Sequence, residues 1–293
     1  MALMIDVVRK LEWLHADGFP LAVKRQQPQR RCTMHAHDFS EIVLVTAGRA
    51  THRTDREQWM LVAGDAFVIG GSQQHEYLDT DDLCLINILY DPKFLRMDQW
   101  DLASLPGYHA LFTLEPHWRR RHQFRSRLHL AARDVATAEA LVDRMDDELA
   151  RREPGFEFMA TATMMHMVGF LSRRYGQSAN PDSQALLRIA EAITFLERSC
   201  DQPVNLDKLA AIAHMSQRSF LREFKKAMGT SPIDYLIQVR VNRAAEQLRH
   251  DEQTITQVAF DLGFEDSNYF SRQFRKVMGV SPREYRGKFA SKR

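Results

Sequence analysis

His35, His37, Glu41 and His75 are the residues of this chain whose types and spacing suit chemistry inside a pocket. The first three form His-Ala-His-x3-Glu, and alternation along a strand pair sends all three side chains to the same side. Three readings fit the pattern. Three imidazoles and a carboxylate suit Zn, Fe or Mn with one coordination position left open. Without a metal, the same groups can hydrogen-bond the hydroxyls of a sugar or the oxygens of a small acid. In the third reading they only satisfy loops at the mouth of a β-fold.

A second set of polar residues lies on two helices that are near-copies of one another. Residues 220–235 recur fifty positions later, and nine of those sixteen positions are identical, among them Phe220/Phe270, Phe224/Phe274, Gly229/Gly279, Pro232/Pro282 and Tyr235/Tyr285. Upstream the offset falls to forty-nine, as in Ala210/Ala259, so the second copy carries one extra residue in its turn. Each copy reads as a helix-turn-helix. In the first, Leu206, Leu209, Ala210 and Ala213 give a short amphipathic helix, Ser216 caps the next one, and Gly229 ends it. In the second, Asp266 takes the capping role and Gly279 ends the helix.

The outward faces carry Gln217, Arg218, Arg222, Lys225 and Lys226 in the first copy, and Ser267, Asn268, Ser271, Arg272 and Arg275 in the second. Arg grips guanine with two hydrogen bonds and Asn pairs with adenine, while Lys and Ser hold phosphates. Arg218, Arg222, Asn268 and Arg272 are therefore expected to read bases, and Lys225, Lys226 and Arg275 to touch the backbone of double-stranded DNA. A helix from Pro232 to about Arg249 would span roughly 27 Å at ~1.5 Å per residue. That is the right order to hold two reading helices about one DNA turn, ~34 Å, apart.

The run LAAIAHMSQRSFLREFKKAMGTSPIDYL…VAFDLGFEDSNYFSRQFRKVMGVSPREYR closely resembles the DNA-binding domain of AraC/XylS-type transcription regulators, over roughly residues 186–288. The pattern GF-x-D-x-x-YFSR-x-F-x-K-x-x-G-x-SP-x-x-YR is present from Gly263 to Arg286. Further upstream, HAHDFSEIVLVTAG…GDAFVIGGSQQHEY…DDLCLINILY is similar to the sensor domain of rhamnose-operon activators in that family. The resemblance implies a regulator, activating through RNA polymerase, whose inducer is L-rhamnose or a related deoxy sugar.

As for the elements that must carry the pocket residues, short apolar runs at 41–45, 59–62, 66–69 and 84–90 are separated by turn signals, as in a small antiparallel barrel or sandwich. With His35, His37, Glu41 and a later Gly64-x10-His75, the segment resembles the two cupin motifs, though Gly70 and Ser72 replace residues usual in the second. Residues 118–175 read as helical, with one amphipathic stretch from Leu128 to Leu149 and another from Phe156 to Tyr175. In the family such a segment commonly forms the dimer interface; here it equally suits a cover for the barrel.

The expected fold is therefore α+β: a cupin-like β-barrel over 1–117, a helical dimerisation segment over 118–175, a polar linker over 176–183, and an all-α twin helix-turn-helix domain over 184–293. Residues 184–293 hold 18 Lys/Arg against 13 Asp/Glu and the remainder 22 against 25, so a net +5 faces a net −3 across a chain of +2. Three scattered cysteines form no zinc or disulfide pattern, and no apolar run suits a membrane span or secretion signal. A cytoplasmic homodimer is expected, with no cofactor unless a metal occupies His35, His37, Glu41 and His75. The rival expectation is a metal-dependent cupin enzyme fused to a DNA-binding module.

Overall fold

The computed structural model describes residues 6–8, 18–29, 32–55, 57–71, 73–93, 101–116, 128–250 and 253–290. Residues 118–127 of the expected helical segment, and Ser72, lie outside them. The chain divides into two compact units, Met1–Ala190 and Glu191–Arg293.

The first unit is built on eight strands: β1 (Asp6–Val8), β2 (Leu21–Gln26), β3 (Cys32–His37), β4 (Ser40–Thr54), β5 (Gln58–Val62), β6 (Asp65–Ile69), β7 (His75–Tyr90) and β8 (Leu128–His129). They form one sheet of order β1-β3-β7-β4-β6-β8, with β2 on β7 and β5 on β4. All pairings are antiparallel except β1 with β3. Among the described residues this cupin-like sheet is an open path, because no pairing joins its two ends.

The long central strands β4 and β7 pair along most of their length and shift register between Val45 and Thr51. Such irregularities bend a strand pair. Gly48 sits at this bend with φ +70°, where a Cβ would fall 2.1 Å from the Asp82 carbonyl oxygen. Beyond the bend the partners change: β6 and β2 flank the Glu41–Leu44 and Leu85–Tyr90 half, and β5 and β3 the other. Val43, Val45, Ala50, Leu61, Phe67, Ile69, Tyr77, Leu83 and Leu85 fill the core between the halves.

The amphipathic stretch expected from Leu128 starts later. Leu128 lies in β8 opposite Ala66, and helix α1 runs Ala132–Arg151. Leu128 and Leu130 are buried while His129 between them is not, a period of two that belongs to a strand. Helix α1 packs against α2 (Phe156–Gly176), and Arg25 of β2 ties α1 to the sheet through Asp143 at 2.6 Å and Asp146 at 3.3 Å.

The helices that follow are α3 (Pro181–Arg198), α4 (Leu206–Ile212), α5 (Gln217–Met228), α6 (Pro232–His250), α7 (Ile255–Asp261), α8 (Ser267–Met278) and α9 (Pro282–Ala290). Phe220, Phe224, Phe270 and Phe274 are wholly buried, so the repeated aromatics are the repeated cores. The Val241, Ala244, Ala245 and Leu248 face of α6 packs into the second of them. Tyr235 and Tyr285 meet Phe224 and Phe274 edge-on at 5.9 and 5.5 Å, the same contact in both copies.

Candidate functional site

The two reading helices are capped as local chemistry demands. The Ser216 side chain accepts the Ser219 N–H ahead of α5, and Asp266 accepts those of Asn268 at 2.9 Å and Tyr269 at 3.0 Å ahead of α8. Gly229 and Gly279 end the helices in left-handed conformation, at φ +74° and +76°. The turn of the second copy holds one residue more: 213–216 separate α4 from α5, and 262–266 separate α7 from α8.

With the aromatics buried, Gln217, Arg218, Arg222 and Lys225 are exposed on α5 and Lys226 is half-buried. On α8, Asn268, Arg272 and Arg275 are exposed, and Ser267 and Ser271 half-buried. Local partners hold several of these side chains. Arg222 Nε donates to Glu223 at 2.9 Å, the Arg272 guanidinium lies 5.8 Å from the Tyr269 ring centre, and the Ser271 hydroxyl donates to the Ser267 carbonyl.

The sensor-side residues converge on a cavity of about 160 Å³. A cavity of ~150 Å³ houses one benzene ring, so this space suits a single ring-sized ligand. Strand β3 brings His35 and His37, β4 brings Glu41, and β7 brings His75, Tyr77 and Asn87, all lining the space. His35 and His75 are register partners with ring centres 4.2 Å apart, and His37 and His75 are 5.4 Å apart.

Hydrogen bonds sort the histidines. His37 Nδ1 lies 2.6 Å from the Phe39 carbonyl oxygen, and His75 Nδ1 lies 3.3 Å from that of Gln73. A carbonyl only accepts, so each Nδ1 carries a proton and donates it. His35 differs: its Nδ1 faces the Thr33 carbonyl at 3.0 Å and Cys32 Sγ at 3.3 Å. The ligating atoms of His37, Glu41 and His75 fall within 4.8 Å of one another, and His35 stands outside that group. Burial pushes the His75 imidazole well below its ordinary pKa of 6.5, and neighbouring His52, His35 and His37 push the same way, so it is neutral.

Two buried atoms of this lining lack a hydrogen-bond partner, the Tyr77 hydroxyl and Asn87 Oδ1, while His37 Nε2 lies 3.2 Å from Glu41 Oε2. Burying polar groups unsatisfied is costly, and a cluster of them around one cavity marks where a ligand supplies partners. Tyr77 and Asn87 were not among the residues expected from sequence. Nor was His52, which is 1% exposed with its ring 5.5 Å from that of His75. Tyr77 follows His75 by two, so strand alternation could have flagged it. Asn87 and His52 enter only through the pairings Val43–Asn87 and His52–Tyr77 between β4 and β7.

Residues 209–288 match the helix-turn-helix domain model, and residues 21–152 the AraC-like ligand binding domain model. The chain is 31% identical over 263 residues, 89% of each chain, to the HTH-type transcriptional activator RhaR of Escherichia coli K12, and 30% identical over the same shares to that of Shigella dysenteriae serotype 1. The chain belongs to the AraC/XylS-type transcription regulators.

Among solved structures, this AraC-type chain is similar to a regulator with an AraC-type DNA-binding domain from Chromobacterium violaceum, at 31% identity over 35% of this chain and 92% of that one, TM-score 0.34. It is also similar to wild-type ToxT from Vibrio cholerae with an unsaturated fatty acid bound, at 13% identity over 91% of this chain and 94% of that one, TM-score 0.34. The protein is thus a DNA-binding regulator with a ligand-binding domain, and the expectation of a fused cupin enzyme is set aside, since the relatives are regulators. Among the described residues, no helix is long and apolar enough to cross a membrane.

Proposed function

We propose that this regulator activates transcription when a small polyhydroxylated molecule, L-rhamnose or a related deoxy sugar, occupies the cavity lined by His35, His37, Glu41 and His75. The observation that carries the reading is the pair of unpartnered atoms, the Tyr77 hydroxyl and Asn87 Oδ1, around a ring-sized space. A sugar presents alternating donors and acceptors of the kind those atoms lack. The likeness to activators named RhaR supports both the sign of regulation and the choice of sugar.

DNA would be read by Arg218, Arg222, Asn268 and Arg272, with Gln217, Lys225, Lys226, Ser267, Ser271 and Arg275 holding the duplex. The sensor occupies 1–117, a dimerisation segment 118–175, a linker 176–183 and the reader 184–293. Helix α2 supports the dimer, since Phe158 is 75% exposed and Met159 49% exposed near its start. The protein works in the cytoplasm, where a homodimer on its operator engages RNA polymerase. Sugar binding shifts the regulator between arrangements only by its differential affinity for them.

A thermal-shift screen of the full-length protein against a sugar panel including L-rhamnose tests the proposal. A sugar that raises the transition and also alters operator occupancy supports it. No shift with any sugar refutes the choice of ligand class.

A further inference from the structure

The two reading helices align at an offset of fifty, which pairs Arg222 of α5 with Arg272 of α8. The residues around these matched arginines differ. Glu223 becomes Gln273, and Ser219 becomes Tyr269. In the preceding turn, where the offset is forty-nine, Met215 becomes Phe264. Together the three changes alter what each arginine rests on.

In α5 the arginine is held by a charge. Arg222 Nε donates to Glu223 Oε1 at 2.9 Å, and Lys226 Nζ lies 3.9 Å from Oε2 of the same carboxylate. One half-buried acid thus offsets the charge of two residues on the reading face. It also occupies the guanidinium Nε, and it sets a negative charge beside the approaching phosphates. Ser219 is engaged with the Ser216 hydroxyl at the cap and has no ring to present to Arg222.

In α8 the arginine is held without a counter-charge from the next residue, since Gln273 brings no carboxylate there. The Arg272 guanidinium lies 5.8 Å from the centre of the Tyr269 ring, three residues back on the helix surface. That ring is itself seated. Its centre is 6.3 Å from that of the buried Phe264, and Asp266 accepts the Tyr269 N–H at 3.0 Å. A guanidinium over an aromatic face keeps its charge and its N–H donors. Being held in place beforehand, it also loses less freedom when it closes on a base.

We propose that Tyr269 is a positioning residue that presets Arg272 for base recognition, whereas Glu223 restrains Arg222. Of the two matched arginines, the one in the second copy therefore discriminates bases more sharply. The inference rests on the assignment of both arginines to bases above. The Glu223 pair opens before Arg222 turns its fork to a base, and an exposed pair of this kind weighs up to about 5-fold in an equilibrium. The Tyr269 contact is of the same order, ~2–5-fold.

The full-length protein is titrated with the duplex it selects from a randomised pool, and with every single-base-pair variant of that duplex. Arg222→Ala and Arg272→Ala mark the base pair that each arginine reads. Tyr269→Leu should lower discrimination ~2–5-fold at the Arg272 base pair alone, with non-specific affinity unchanged. It should add nothing in the Arg272→Ala background. Tyr269→Phe, which keeps the ring, should retain the wild-type value. Glu223→Gln should raise discrimination at the Arg222 base pair by up to about 5-fold, and Gln273→Glu should lower it at the Arg272 base pair.

A uniform loss at every base pair in Tyr269→Leu, or an equal loss in Tyr269→Phe, overturns positioning by the ring. No change at the Arg222 base pair in Glu223→Gln overturns the restraint. If Arg222→Ala and Arg272→Ala alter no base pair, the base-reading assignment falls and this inference with it. If they do while Tyr269→Leu does not, the assignment stands and the positioning falls.

Discussion

His214 and Gly263 occupy the same position in the two helix-turn-helix turns, and both hold left-handed backbone, at φ +53° and +78°. They are forty-nine residues apart, the offset at which the upstream halves of the two copies align. At Gly263 the conformation is compounded by crowding, since a Cβ there would fall 2.4 Å from the Asp201 carbonyl oxygen. Gly263→Ala should therefore destabilise the DNA-binding half by ~2 kcal/mol or more, while His214→Gly should cost nothing or stabilise. Urea unfolding of both variants checks the pair, and equal stability of Gly263→Ala and wild type would sink the argument.

Arg240 of α6 joins the same neighbourhood. Its guanidinium donates to the Cys200 carbonyl at 2.5 Å, Gly263 at 2.7 Å and Gln202 at 3.0 Å. One planar fork thus ties the segment after α3, the connecting helix and the second turn. Arg240→Ala should lower stability by ~2–3 kcal/mol, and Arg240→Lys should recover only part of that, because an ammonium cannot span three carbonyls. Full recovery by lysine, in the same unfolding measurement, would show that charge rather than geometry matters.

On the reading helices, Arg218→Ala should reduce discrimination at one base pair by ~1–3 kcal/mol. Lys226→Ala should weaken all sequences alike and lessen the salt dependence of binding. Titrations of operator and scrambled duplexes at several salt concentrations separate the two. If both variants lose specific and non-specific affinity equally, the assignment of Arg218 to a base is wrong.

In the cavity, Tyr77→Phe removes a buried hydroxyl that has no hydrogen-bond partner. The ligand-free transition should stay unchanged or rise slightly, while sugar affinity drops by ~10-fold, about 1.4 kcal/mol. Calorimetry and thermal unfolding on one preparation suffice. A loss of stability together with unchanged affinity would make Tyr77 a structural residue only.

The neutral His75 predicts an acid-sensitive sensor. The unfolded chain takes up a proton near pH 6.5, which the folded imidazole, held well below that value by burial, refuses. Below 6.5 the unfolded state binds more protons, so stability is full above that pH and falls as pH drops, by at most ~1.4 kcal/mol per pH unit. His75→Gln should flatten this slope. An unchanged slope would assign the sensitivity to another group.

Much of the reader half is legible because its determinants are local. Ser216 and Asp266 cap groups two or three residues away, Gly229 and Gly279 end their helices on the spot, and the paired phenylalanines recur at a fixed spacing. The additional residue of the second turn shows in the change of offset from fifty to forty-nine. Such features depend on a few consecutive φ/ψ choices and on one apolar stripe per helix.

The sensor half is another matter. Sequence alone determined that His35 and His37 share a side, since alternation is a property of the strand itself, whereas Glu41 joins them from the next strand. Only the tertiary structure decided that the sheet stays open, that Leu128 belongs to a strand, and that Asn87 faces the same space as His37. Those outcomes depend on register between strands far apart in the chain, such as Val43 with Asn87, and a one-residue slip would send each side chain to the opposite face. It likewise took the fold to separate His35 from its neighbours. Which carbonyl each ring nitrogen meets is set by backbone placed through those pairings, and residue type carries no record of it.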